Sequence, residues 1–211
     1  MQINKMGYET FLYSPIFSLV IGILLFLGLM SFGSFFLSFL FKKDISNNNL
    51  FLLHSPLIAT NVLLFCFFPL ASLGLLNSNI LKITSYLLLI LSIHFIINIF
   101  RISFVGITKY KILILILILY FLLCLAPFTH ADTLEYSLKS AVNLINTGSF
   151  SKALLPMVVK AEGAGEILIA LSLISGTEQF ANLIQYGGFL SIIASFFYLK
   201  KKYNYFLLLS V

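Results

Sequence analysis

His130, Asp132 and Glu135 fall within six residues of one another in the stretch PFTHADTLEYSLKSA, residues 127–141, directly after a long apolar run. An imidazole and two carboxylates at that spacing are groups that move protons or hold hard cations. A wet carboxylate at a membrane surface stays ionised near its ordinary pKa, and one enclosed by apolar side chains becomes a stronger base. A wet but sheltered carboxylate therefore suits the removal of a proton from an acceptor hydroxyl. His130 adds a candidate metal ligand or proton shuttle. The same residues also have a purely structural reading. Asp132-Thr133-Leu134-Glu135 has the form of a capping box, with Asp132 as N-cap and Glu135 at the third helical position. Acids at a helix start are further favoured by the helix dipole. The two readings are compatible, because a capped helix start holds a carboxylate rigidly.

The remaining ionisable residues sharpen this focus. Five of the seven acids (Asp132, Glu135, Glu162, Glu166 and Glu178) lie between 132 and 178, and only Glu9 and Asp44 lie elsewhere. Glu166 follows Gly163 and Gly165 at the start of an apolar stretch, so a helix-start role and a site role are both open. Lys139, Lys152 and Lys160 would suit a phosphate head group, although lysines near anionic lipid need no such explanation. His54 and His94 sit at or within apolar runs, where packing or interhelical hydrogen bonding accounts for them, and their spacing forms no zinc pattern. Cys66 and Cys124 also fall inside apolar runs and read as small buried hydrophobes, not as a disulfide framework. No Walker-type loop, dinucleotide fingerprint, Gly-x-Ser-x-Gly or His-Glu-x-x-His sequence is present. Nucleotide-driven and serine-hydrolase chemistry therefore has no support.

What must position these groups is a membrane-embedded scaffold. The chain is 60% hydrophobic and 9% charged, with a mean hydropathy of +1.06, whereas soluble domains carry roughly 25% charged residues. Continuous apolar runs cover Pro15–Phe41, Pro56–Leu76, Ile80–Phe100, Ile112–Ala126 and Phe180–Leu199, with a shorter stretch at Ile167–Ser175. Runs of this kind predict an all-α polytopic membrane protein of about five to six transmembrane helices, and their continuity argues against a β-barrel. Gly22, Gly28 and Gly33 in the first run predict close helix packing. The net charge of +6 does not point to nucleic acid, because the basic residues lie mainly in short clusters flanking the apolar runs.

Those clusters orient the chain. With Lys42/Lys43, Arg101/Lys109/Lys111 and Lys200–Lys202 in the cytoplasm, the first four runs alternate and residues 128–165 lie on the exterior of the inner (plasma) membrane. Lys82 falls on the other side, where it can snorkel from the start of its helix. Within the exterior segment, Leu134, Leu138, Ala141, Val142 and Ile145 share one helical face, and Gly148 suits the helix C-terminus. This predicts an amphipathic helix on the outer membrane surface, with GAGEILIALSLISG as a second surface helix or half of a bent pair with the last run. The closing YNYFLLLSV begins an apolar segment too short to span, so the sequence reads as the N-terminal piece of a longer protein or of an ancestral one.

The stretches PFTHADTLEYSLKSAVNLINTGSF and GAGEILIALSLISGTEQFANLIQYGGFLSI together resemble the bacterial GT-C glycosyltransferases, the class containing the dolichyl-phosphate-mannose-protein mannosyltransferase-like enzymes. The resemblance covers roughly residues 112–200. It divides the chain into an N-terminal three-span region, 1–111, and a GT-C-like region, 112–211. It implies transfer of a sugar from a polyprenyl-phosphate-linked donor to a glycan, lipid or protein acceptor on the outer face, usually with inversion. Asp132 corresponds to the motif aspartate and would be the general base. Glu135 and Tyr136 continue the motif, and Glu166 is the second acidic position. Glu135 or Glu166 would orient the acceptor, or hold a divalent cation (Mg or Mn) if the enzyme is metal-dependent. His130, Tyr136, Lys139 and Glu166 are the candidate substrate-binding residues. A histidine often follows the motif tyrosine in similar sequences, whereas Ser137 stands here. The alternative class is a non-catalytic membrane protein: an assembly or transporter subunit, or a degenerate remnant.

Overall fold

The structure, a computed structural model, describes residues 12–41, 49–99, 111–127, 137–150 and 163–202. Within them seven helices follow one another, and no strand occurs among the described residues. They are α1 (Pro15–Phe41), α2 (Asn49–Ser72), α3 (Ser78–Ile99), α4 (Lys111–Cys124), α5 (Leu138–Thr147), α6 (Ala164–Ile174) and α7 (Gln179–Lys202). Three of them, α1, α2 and α3, are long and apolar enough to cross a membrane. The protein is a helical membrane protein.

The centre of the bundle is α1, which packs on α3, α2 and α7. Apolar burial gives little drive to helix association in lipid, so close backbone approach must supply it. Three glycines of α1 provide that approach. A Cβ on Gly28 would run into the carbonyl of Leu88 in α3, and one on Gly33 into the carbonyl of Ser55 in α2. A Cβ on Gly22 would sit 2.8 Å from Thr177 Oγ1 and 3.1 Å from Gln179 Cβ, at the turn between α6 and α7. At 100° per residue, Gly22 and Gly33 share a face about 16 Å apart along the axis, and Gly28 is turned away by roughly 120°. The glycines thus serve different neighbours at different depths.

Helix α2 differs from the sequence expectation. The apolar run predicts a start at Pro56, a residue favoured at the first helical position, yet the helix begins at Asn49 and holds Pro56 and Pro69 inside it. An interior proline removes a backbone donor and leaves the preceding turn's carbonyls without their usual partners. Here Ser55 Oγ donates to the Leu52 carbonyl at 2.6 Å, and Ser191 Oγ of α7 donates to the Leu53 carbonyl at 3.1 Å. The pyrrolidine ring lies against Gly187, where a Cβ would come within 2.8 Å of Pro56 Cβ. The proline becomes part of the α2–α7 contact.

The apolar core runs without a break from α1–α3 into α5–α7. Helix α4 is peripheral, packing on α7 through an aromatic cluster. Tyr120 lies 5.2 Å from Phe189 and Phe121 lies 5.4 Å from Tyr186, both edge-on, while Tyr186 reaches Phe26 of α1 at 6.1 Å. Cys124 is buried as expected, but Cys66 is exposed, because its position on α2 faces away from the bundle.

Candidate functional site

The helices α5 and α6, with the turn that leads into α7, form a cap at one end of the bundle. Helix α5 buries Leu138, Ala141, Leu144 and Ile145, largely against α6. The expected amphipathic helix is present over Leu138–Thr147, with Val142 half-buried and Leu134 outside the described residues, but protein rather than lipid covers much of its apolar face. The helix stops where the sequence predicts. Gly148 adopts a left-handed conformation (φ 73°) and its N–H donates to the Leu144 carbonyl, a glycine-favouring C-terminal arrangement. The Gly148 carbonyl accepts the Leu76 N–H at 3.2 Å, and Phe150 packs 5.5 Å from Phe68. Both contacts tie α5 to the end of α2 and its following loop.

Glu166 lies in the first turn of α6, and its Oε2 accepts the Gly163 backbone N–H at 2.7 Å. Glycine has no side chain to reciprocate, so only the glutamate half of a capping box is made. The carboxylate thereby satisfies one of the donors that every helix start leaves open. Lys139, on the first turn of α5, is exposed. The packing of α5 on α6 thus joins the elements carrying Lys139 and Glu166. His130, Asp132, Glu135 and Tyr136 lie outside the described residues, as do Glu162, Lys152 and Lys160. Ser137 already has helical backbone angles and makes no side-chain capping bond, so it is not the cap of α5. Among the described residues no group of three or more His, Cys, Asp or Glu side chains could hold a metal ion.

A polar node that sequence reasoning missed lies beneath the cap. Ser18 Oγ donates to Gln179 Oε1 at 2.7 Å, and Thr177 Oγ1 donates to the same oxygen at 3.0 Å. Ser172 Oγ donates to the Thr177 carbonyl at 2.7 Å and accepts from the Ala181 N–H at 3.3 Å. The Ser85 and Ser175 hydroxyls are 2.7 Å apart, joining α3 to the turn. The final carbonyls of α6 find partners inside this turn. Ser172 O takes the Ser175 and Thr177 N–H groups, and Leu173 O takes that of Gly176. Such pairing is what a buried chain break between two helices requires. Gly176 (φ 81°) lies under the Tyr13 ring, and its carbonyl accepts the Tyr13 N–H at 3.1 Å. The available signal is Thr177, a hydroxyl residue two positions ahead of the α7 start, after a turn glycine.

One further bond closes the end of the bundle. Asn182 Nδ2 donates to the Ala126 carbonyl at 3.1 Å, so the end of α4 meets the start of α7. The beginnings of α1, α3 and α7 and the ends of α2 and α4 therefore lie together with the cap.

A family model, the DUF1420 N-terminal domain, matches residues 93–205, more than half of the chain. The chain belongs to the DUF1420 family. The matched DUF1420 region starts near the end of α3 and contains the whole of α4, α5, α6 and α7, hence the cap, most of the polar node and every candidate site residue. No match was found among curated proteins or among solved structures.

Proposed function

We propose that this chain is a membrane glycosyltransferase of the GT-C kind, or the N-terminal part of one. It would move a sugar from a polyprenyl-phosphate donor to a glycan, lipid or protein acceptor at the exterior face of the inner membrane. The observation that carries the reading is the arrangement around the acidic segment. Pro127, at the end of α4, and Ser137, at the start of α5, bound residues 128–136, and both belong to the capped end. In this reading α4 and α7 cross the bilayer with α1, α2 and α3, giving five spans. The alternation of helix beginnings and ends at the cap is what consecutive spans require. The lysine and arginine clusters favour the cytoplasm for the opposite end, which leaves 128–165 outside.

The chemistry follows from the carboxylates. Asp132 takes the proton of the acceptor hydroxyl, whose oxygen attacks the anomeric carbon. The bond from that carbon to the phosphate oxygen breaks, and polyprenyl phosphate leaves. Glu135 or Glu166 would orient the acceptor, or would hold a divalent cation (Mg or Mn) if the transfer is metal-dependent, since hard cations take oxygen ligands. Tyr136, His130 and Lys139 would bind the substrates. The isoprenoid chain of the donor lies along the apolar groove between α4 and α7.

Transfer from a labelled polyprenyl-phosphate sugar, measured in membranes carrying the protein, tests this. Asp132→Asn is expected to abolish transfer, by at least about 100-fold for loss of a general base, at wild-type abundance. Asn caps a helix almost as well as Asp, so retained transfer in that variant would remove Asp132 from the mechanism. The second reading, a non-catalytic membrane subunit, is favoured by the use of Glu166 as a helix cap. It expects no transfer from either protein.

A further inference from the structure

We draw no further inference here: the strongest candidate, the apolar groove of about 290 Å³ between α4 and α7 lined by Ile116, Leu119, Tyr120, Leu123 and Phe189, is already taken up by the proposed donor site, and nothing in the structure shows what else covers it.

Discussion

Ser18, in the first turn of α1, and Gln179, which opens α7, are 161 positions apart in sequence and joined by a buried hydrogen bond of 2.7 Å. The bond sets the height at which the α6–α7 turn meets α1, and Gly22 leaves the space into which that turn fits. A neutral buried hydrogen bond contributes about 1 kcal/mol, and more is lost if a partner is stranded. Ser18→Ala and Gln179→Ala should each lower the thermal midpoint of the purified protein. Their effects should be non-additive by about 0.5–2 kcal/mol, as for residues in direct contact. A double-mutant cycle that closes to zero would show that the two side chains do not interact.

The glycines of α1 and α7 allow an internally controlled comparison. Gly28 faces the Leu88 backbone, whereas a methyl group added at Gly188 would meet nothing within 4 Å. Gly28→Ala should cost about 1–3 kcal/mol, because a rigid backbone must shift to admit the methyl. Gly188→Ala should be neutral or stabilising, since alanine is the better helix former by up to about 1 kcal/mol. Thermal unfolding of the two variants in the same detergent checks this. Equal midpoints would contradict the close α1–α3 crossing.

Glu166 separates structure from chemistry. Glu166→Ala removes the bond to the Gly163 N–H and should cost about 1 kcal/mol, the usual loss for a helix cap. Glu166→Gln keeps an acceptor oxygen for that bond while removing the charge. It should therefore unfold like the wild type yet lose transfer at least about tenfold, the equivalent of about 1.4 kcal/mol of transition-state binding. Wild-type transfer by Glu166→Gln would leave this residue a cap alone.

How much of this is legible in the sequence depends on the range of the interaction. The bounds of Pro15–Phe41 are legible because a proline start and a Lys42-Lys43 stop are local signals. The end of α5 at Gly148 is legible for the same reason. The start of α2 is not, because Pro56 is tolerated through Ser191, which lies 138 positions beyond Leu53, the residue whose carbonyl it bonds. The three glycines of α1 announce close packing without naming Leu88, Ser55 or Thr177 as what they pack against. The apolar face of α5 is plain from its spacing, but whether protein or lipid covers it is a tertiary matter. Nothing local marks Cys66 as exposed and Cys124 as buried. At the candidate site, the acidic cluster is visible by residue type, while the use of a Glu166 oxygen as a cap needs the geometry of Gly163.

The proposed transfer at the exterior face requires that the capped end of the bundle lie outside, as the lysine and arginine clusters favour. Lys139 is exposed on the first turn of α5 and offers a site to test it. In a chain with Cys66→Ala and Cys124→Ala, Lys139→Cys should react with a membrane-impermeant maleimide on intact cells. Lys201→Cys, at the far end of α7, should react only after permeabilisation. Labelling of Lys201→Cys on intact cells, with Lys139→Cys protected until the membrane is opened, would place the capped end in the cytoplasm and overturn transfer at the exterior face.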